Sequence, residues 1–239
     1  MKHWLKLLTV LSLLCALTVS TKAESREPFV LPQNEKDALC GVYFFGESTT
    51  AHLARSGGIL DNAEKGEQVL RDESGTRYLD MRILSSPVIY RGEKLSFADA
   101  VERVQPRVLV LSFGLNGLPR WSRDPEAFLR NYRALIDGVL ARSPNTKIIL
   151  QSVYPVGEND CFSAPVPKLN AQIQALNAHI ASLSQEYENV AYINTAALLS
   201  DASGALSHAY DIGDGIHLTN EAYRIILRFL CQSIKGQNK

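Results

Sequence analysis

Short apolar segments alternate with longer amphipathic ones along the chain, and this alternation constrains the fold more than any other feature. Apolar runs of four to seven residues lie at 41–45, 107–113, 147–153 and 190–193. Between them, apolar residues recur at helical spacing, most clearly over 124–142. Buried strands that alternate with helices are typical of a parallel sheet covered on both faces. We therefore predict an α/β fold with a central parallel sheet.

Polar side chains that carry chemistry are expected just after the strands, because ligands of such sheets bind beyond the carboxyl ends of the strands. The remaining pattern predicts short extended pieces and further helices around this sheet. The extended pieces are at 78–84 and 87–90, and the helices at 49–55, 96–104, 166–187 and 219–234.

The first residues are typical of a secretory signal peptide. Lys2 and Lys6 precede an apolar run over 7–19, and Thr21 and Ala23 are small residues at the −3 and −1 positions of a cleavage site. The alternative is a membrane anchor, but the apolar run is shorter than the roughly 20 residues that span a bilayer. We expect cleavage near Ala23 and export to the periplasm or the medium, without stable membrane insertion.

Size and charge of the expected mature chain, 24–239, limit its partners. Removal of 1–23 takes away three of 25 basic side chains and none of 25 acidic ones, which leaves 22 basic and 25 acidic. A nucleic-acid partner is not expected, because such proteins present basic patches. We predict an irregular arm over 24–40 and a single domain over 41–239. The oligomeric state stays open.

Three polar clusters stand where functional residues are expected: GEST at 46–49, GLNG at 114–117 and DGIHLT at 214–219. Singly, each has a structural interpretation as a helix cap, a turn or a surface loop. Together they offer a serine, a histidine with a carboxylate three residues before it, and an asparagine amide. Nucleophilic acyl transfer needs this combination of nucleophile, base, orienting carboxylate and oxyanion donor.

In these clusters the chain resembles the SGNH/GDSL hydrolase family. FGES at 45–48 resembles the first block of the family, usually Gly-Asp-Ser, and GLNG at 114–117 resembles the third, usually Gly-x-Asn-Asp. DGIH at 214–217 resembles the fifth block, Asp-x-x-His. The resemblance spans nearly all of 41–235, and its last block is the most specific.

The resemblance implies a flavodoxin-like, three-layer α/β/α SGNH hydrolase fold and ester hydrolysis through an acyl-enzyme, with no metal or organic cofactor. Carried over residue by residue, Ser48 is the nucleophile and its N–H an oxyanion donor. Asn116 is the side-chain oxyanion donor. His217 is the general base and then the general acid, and Asp214 holds its imidazole.

Three positions depart from the family pattern. Glu47 and Gly117 stand where aspartates are usual, and no clear glycine marks the second block. The segment 84–87 lies where that glycine belongs. Within it the N–H of Ser85 or Ser86 is able to complete the oxyanion hole, and we select Ser85. Since losing one oxyanion donor costs roughly 10²–10³ in rate, we expect weakened or specialised catalysis rather than none.

Other residues near strand ends are weaker candidates. We predict Glu47, Trp121 and Tyr154 as substrate-binding residues, and the loop over 154–167 as a lid or substrate wall. His52, four residues after Ser48, is interpreted as structural. Asp211 competes with Asp214 for the histidine, at a less suitable spacing.

Three cysteines follow the expected cleavage site, so one at least stays unpaired within the chain. Cys40 precedes the first predicted strand, and Cys231 lies about 18 Å along the last helix from Thr219. This placement predicts a disulfide between Cys40 and Cys231, with Cys161 unpaired. Three buried free thiols are the alternative.

The combined interpretation is an exported serine esterase acting on a small-molecule or glycan ester. We expect it to remove a small acyl group, such as acetyl, from a carbohydrate or cell-envelope polymer. One alternative is an O-acyltransferase with the same triad. The other is a non-catalytic carbohydrate-binding relative, which the gap in the second block favours and the intact triad pattern disfavours. A lipid-ester specialist is a further alternative, but no long apolar surface segment recommends it.

Overall fold

Six strands form two sheets in the computed structural model, which describes residues 31–55, 67–72, 77–160 and 162–236. The predicted signal peptide, 1–23, lies outside the described residues. The strands are β1 (Val42–Gly46), β2 (Pro87–Tyr90), β3 (Glu93–Ser96), β4 (Val108–Ser112), β5 (Lys147–Gln151) and β6 (Val190–Ile193).

Eight helices and one 3₁₀ turn surround the strands within the described residues. The 3₁₀ turn is Ile83–Ser85. The helices are α1 (Gln33–Ala38), α2 (Ser48–Arg55), α3 (Phe97–Val104), α4 (Leu118–Trp121), α5 (Pro125–Arg142), α6 (Val166–Ser184), α7 (Ala196–Leu199) and α8 (Asn220–Gly236).

The central sheet has the order β1-β4-β5-β6, and all its neighbouring strands are parallel. Gly46 at the end of β1 is level with Ser112 at the end of β4. Because parallel strands point the same way, the residues that follow β1 and β4 emerge side by side. The second sheet is the short antiparallel hairpin of β2 and β3.

Helices cover both faces of the central sheet, as the sequence pattern predicts. Leu109 and Leu111 of β4 belong to one buried apolar cluster, which includes residues of α3, α5 and α6. Val108 and Val110 of the same strand belong to a second cluster, which includes residues of α8. This alternation follows from the two-residue period of a strand. The predicted α/β fold with a central parallel sheet is confirmed.

The N-terminal arm is not irregular throughout, which corrects part of that prediction. Gln33–Ala38 forms α1, and the flanking Leu31 and Leu39 are buried in the same apolar cluster as Leu230 and Ile234 of α8. The helix is short and polar, so its own sequence gives little helical signal. Packing of its two flanking leucines holds it against α8.

The predicted disulfide between Cys40 and Cys231 is absent, because both are free thiols. Cys231 is buried, and its Sγ lies 3.6 Å from the carbonyl oxygen of Glu35 in α1. Cys40 follows α1 and is exposed. The unexpected helix therefore occupies the place beside Cys231. Cys161 lies outside the described residues.

The loop after β5 is held against α6 by two buried asparagines. Asn177 accepts the N–H of Val153 at 2.8 Å and donates to its carbonyl oxygen at 2.9 Å. Asn170, two helical turns earlier, makes the same pair of bonds to Val156. Each amide thus satisfies both polar groups of a buried peptide. This arrangement fixes the first part of the loop near the carboxyl ends of the strands.

Candidate active site

Ser48 is the first residue of α2 and lies two residues after the end of β1. A side-chain carbon at Gly46 would lie 2.5 Å from the carbonyl oxygen of Ser112, so the close approach of β1 to β4 needs glycine there. From the other side, the Tyr223 hydroxyl of α8 donates to the carbonyl oxygen of Thr49 at 2.6 Å. The N–H groups of the first helical turn lack helical acceptors and are available to an anion.

His217 connects Ser48 to Asp214 through two hydrogen bonds. Its Nε2 lies 3.1 Å from Ser48 Oγ, and its Nδ1 lies 2.6 Å from Asp214 Oδ2. Because a carboxylate only accepts hydrogen bonds, Nδ1 carries the proton and the Nε2 lone pair faces the serine hydroxyl. This geometry allows the imidazole to take the proton from Ser48 Oγ.

The other oxygen of Asp214 fixes its orientation by accepting the N–H of Ile216 at 2.9 Å and of His217 at 2.7 Å. Partial burial works to raise the pKa of Asp214. The two N–H groups and the imidazole of His217 oppose that effect, and the pKa is lowered from its ordinary value. The carboxylate is therefore ionised when it faces the imidazole.

Glu47 lies beneath the site and not in the cavity, although it was predicted to bind substrate. Its buried carboxyl group accepts the N–H groups of three consecutive residues: Gly114 at 2.9 Å, and Leu115 and Asn116 at 3.1 Å each. Glu47 thereby joins the turn after β4 to the residue before the serine. Burial raises its pKa to about 8, although the three N–H groups oppose the rise.

Asn116 lines the same cavity as Ser48 and His217. Its Nδ2 donates to the carbonyl oxygen of Arg77 at 2.6 Å, and its own carbonyl oxygen accepts the Trp121 indole N–H at 2.9 Å. A side-chain amide has two N–H groups, so one remains to meet an oxyanion. Trp121 is buried and contributes by holding Asn116, instead of lining the cavity as predicted.

Ser85 is not brought to this cavity, which corrects its selection as an oxyanion donor. Its N–H donates to the carbonyl oxygen of Arg82 at 2.8 Å within the 3₁₀ turn, and Ser86 donates to Ile83 at 3.1 Å. The turn packs on α5, where Leu84 contacts Gly138.

The segment that reaches Asn116 instead contains Arg77, several residues earlier in the chain. The Arg77 guanidinium is buried over the ring of Phe45, 5.1 Å from its centroid. It also donates to the carbonyl oxygen of Pro87 at 2.5 Å and pairs with Asp72 at 3.5 Å. These contacts fix the backbone carbonyl that Asn116 binds.

The cavity has a volume of about 550 Å³ and also exposes His52. The His52 ring stacks on the His217 ring, with centroids 4.2 Å apart and planes 21° apart. The sequence interpretation treated His52 as structural and missed this contact. The available signal was its position one helical turn after Ser48. Tyr154 is buried beneath the site with Gln151 as a partner of its hydroxyl, and does not line the cavity.

Asp211 is not the carboxylate bonded to the imidazole. It accepts the N–H groups of Gly213, Asp214 and Gly215 within its own loop. Across the ranges that the structure describes, no three His, Cys, Asp or Glu side chains are grouped to hold a metal ion.

The profile of the GDSL-like lipase/acylhydrolase family matches residues 44–225. The chain belongs to this family, and it is an enzyme that hydrolyses ester bonds. The resemblance found in the sequence blocks is confirmed. No curated protein sequence matches the chain.

Solved structures support the fold. A GDSL-like lipase from Bacteroides thetaiotaomicron is 20% identical with a TM-score of 0.56, and the alignment covers 82% of this chain and 88% of that one. An acetyl xylan esterase is 18% identical with a TM-score of 0.55, covering 80% and 98%. A carbohydrate esterase of family 3 from Talaromyces cellulolyticus is 16% identical with a TM-score of 0.50, covering 82% and 98%.

The raised pKa of Glu47 predicts a pH-dependent loss of stability that replacement by glutamine removes. Unfolded, Glu47 loses its proton near its ordinary pKa; folded, it keeps the proton up to about pH 8. The folded chain therefore holds more protons between about pH 5 and 8. Relative to Glu47→Gln, wild type should lose unfolding free energy there, by roughly 1 kcal/mol per pH unit.

Urea unfolding of both proteins at several pH values measures this difference. The exposed Glu186→Gln is a suitable control, because Glu186 pairs with Arg133 at the surface and its pKa is lowered. If the difference in unfolding free energy between wild type and Glu47→Gln stays constant from pH 5 to 8, Glu47 is already ionised at pH 5 and the prediction is wrong.

Proposed function

We propose that this chain is an exported serine esterase that cleaves an O-acyl ester through an acyl-enzyme on Ser48. The observation that carries the proposal is the continuous hydrogen-bonded series from Ser48 Oγ through His217 to Asp214, at 3.1 and 2.6 Å. These are the contacts by which a base activates a serine and a carboxylate holds the base.

In the first half-reaction, Ser48 Oγ attacks the ester carbonyl carbon while His217 Nε2 takes its proton. The negative charge on the carbonyl oxygen meets the Ser48 N–H at the start of α2 and the free N–H of the Asn116 amide. When the intermediate collapses, the bond to the alcohol oxygen breaks and His217 returns the proton to it. The imidazolium formed in between is stabilised by the ionised Asp214.

In the second half-reaction, water replaces the alcohol. His217 takes a proton from the water as it attacks the acyl-enzyme, and Ser48 Oγ leaves with that proton. The product is the free carboxylic acid. An O-acyltransferase differs only in that a sugar hydroxyl takes the place of water, and this remains the alternative function.

The proposed substrate is an ester of a carbohydrate or cell-envelope polymer, which the exported enzyme meets outside the cytoplasm. The N-terminal signal-peptide pattern supports export, and none of the helices in the described ranges is long and apolar enough to cross a membrane. One of the similar structures is described as a carbohydrate esterase of family 3, and another as an acetyl xylan esterase. The acyl group expected from the sequence is a small one, such as acetyl.

Hydrolysis of p-nitrophenyl acetate by the chain beginning at Glu24 tests the proposal. We expect turnover by wild type and a fall of kcat by at least about 10³-fold in Ser48→Ala and His217→Ala, because each removes a member of the triad. Ser233→Ala and His179→Ala are matched controls on α8 and α6, and both should retain wild-type rates. Equal rates in wild type and Ser48→Ala would contradict the proposal.

A further inference from the structure

We propose that the cavity beside Ser48 binds the acyl side of the substrate, and that this acyl group is apolar and larger than acetyl. This inference rests on the proposed esterase function and specifies its substrate class.

The lining of the cavity is mainly hydrocarbon. Three of its polar residues, Ser48, Asn116 and His217, have roles in the proposed reaction, and His52 stacks on His217. Ser163 is the other polar residue among the described residues that line the cavity. No Asp, Glu, Lys or Arg is found among these described lining residues. Apart from Pro119, the apolar side chains belong to Leu115, Leu118, Val156, Phe162, Leu169 and Ile216.

This lining suits an acyl chain and not a sugar ring. A saccharide hydroxyl that leaves water without gaining a hydrogen bond is destabilising, and the cavity offers few partners outside the reacting groups. Hydrocarbon, in contrast, gains from removal of its surface from water. The sugar of a glycan ester is therefore expected outside the cavity, with its acyl substituent inside.

Two reacting groups mark where the oxygens of the bound ester lie in the cavity. The leaving oxygen must lie at His217 Nε2 to receive its proton, and the carbonyl oxygen must lie at Asn116. Leu115 directly precedes Asn116 and Leu118 comes two residues after it, so the apolar lining includes residues close in sequence to the oxyanion donor.

The cavity volume argues for a group larger than acetyl. A volume of about 550 Å³ lies within the range of about 300–1,000 Å³ that encloses whole small-molecule ligands. An acetyl group places a single methyl beyond the carbonyl carbon and leaves most of this space to water. Each further methylene buried in an apolar pocket typically adds about 10-fold or more to kcat/KM.

A chain-length series tests the inference with one leaving group throughout. We expect kcat/KM to rise by at least about 10-fold from p-nitrophenyl acetate through butyrate to octanoate. In a second series the acyl group stays acetyl and the alcohol grows from phenyl to naphthyl, and kcat/KM should change by less than about threefold. Ser48→Ala supplies the background for every ester.

Filling the cavity should reduce the preference for the longer acyl group. Leu169→Trp places a larger side chain into the cavity from α6, and we expect it to lower the octanoate-to-acetate ratio by about 10-fold or more. Ala175→Trp is the matched control, since Ala175 lies on the same helix but borders a separate groove with Lys168 and His179. Its ratio should equal that of wild type.

The outcomes separate the inference from the function on which it rests. Ser48-dependent hydrolysis that is equal for all acyl lengths, or that rises with the alcohol instead, overturns the acyl assignment and leaves the esterase standing. An octanoate preference that survives Leu169→Trp also overturns it. Absence of Ser48-dependent hydrolysis of every ester overturns both.

A separate set of contacts concerns the loop that carries Asp214 and His217, and from it we infer that Asp211 is a positioning residue for this pair. Asp211 Oδ1 accepts the N–H of Gly213 at 2.8 Å and those of Asp214 and Gly215 at 3.1 Å each. Its Oδ2 accepts the Gly215 N–H again at 3.1 Å. Gly213 and Gly215 have φ of 104° and 70°, which turn successive N–H groups towards one anion.

The loop is also held from outside by the segment after β5. Asn159 Nδ2 donates to the carbonyl oxygen of Asp214 at 2.5 Å, and the Gly157 N–H donates to the carbonyl oxygen of Gly215 at 2.8 Å. Asp211 and Asn159 thus bind the backbone of Asp214 on its two sides, while its side chain binds the N–H groups of Ile216 and His217 and the imidazole.

Asp211→Asn tests this role, because it places an amide N–H against the N–H of Gly215. We expect kcat to fall by about 10- to 100-fold with KM within about twofold, since misplacing a catalytic group by about 1 Å costs this much. The low-field proton resonance of the His217 Nδ1–H bond to Asp214 should weaken or shift. Asn159→Ala should act in the same direction.

Asp201→Asn is the matched control. Asp201 accepts the N–H groups of Ser203 and Ala205 in a loop of its own, so the same chemical change is made outside the Asp214–His217 loop. It should leave kcat and the resonance unchanged. An unchanged kcat and resonance in folded Asp211→Asn, or equal losses in Asp201→Asn, would overturn the inference.

Discussion

Parallel pairing of β1 with β4 is the constraint on which the site depends. It sets Gly46 level with Ser112, so the serine that follows one strand and the turn that follows the other emerge together. The Glu47 N–H continues the pairing by donating to the Ser112 carbonyl oxygen at 3.2 Å. The Glu47 carboxyl group then binds three N–H groups of the neighbouring turn. Nucleophile and oxyanion donor are thereby held by one side chain.

The base reaches the site by a different route. The loop before α8 carries Asp214 and His217, and α8 itself contacts the nucleophile's helix through Tyr223 and Thr49. The segment after β5, fixed by Asn170 and Asn177, meets this loop at Gly157. Three distant parts of the chain thus meet at the carboxyl ends of β1, β4 and β5. Each is anchored by buried hydrogen bonds outside the reacting groups.

The periodicity of the sequence was sufficient to predict the central sheet and its covering helices, since burial on both faces dictates apolar strands. Residue types and spacing also selected Ser48, Asn116, Asp214 and His217, which the structure brings together. The helix α1 was missed because its stability comes from packing on α8. Because α1 was not predicted, nothing in the sequence indicated that this helix lies beside Cys231 and that Cys40 is not paired with it.

Backbone positions and burial were the other limits. An N–H donor is present at every residue except proline, so residue type could not show that Ser85 is turned into a 3₁₀ helix. Trp121 and Tyr154 follow strand ends as predicted, but their side chains are buried. Burial of these large apolar rings is favourable as long as the indole N–H and the phenol O–H find hydrogen-bond partners. Asn116 is the partner of one of them, which makes Trp121 part of the site indirectly.

Covalent labelling with a fluorophosphonate tests the central claim most directly, because such reagents react with a serine only when a neighbouring base activates it. We predict a single adduct, located by mass spectrometry on the peptide containing Ser48, and its loss in His217→Ala while urea unfolding shows that variant to be folded. Labelling at another serine, or equal labelling of wild type and His217→Ala, would contradict the account.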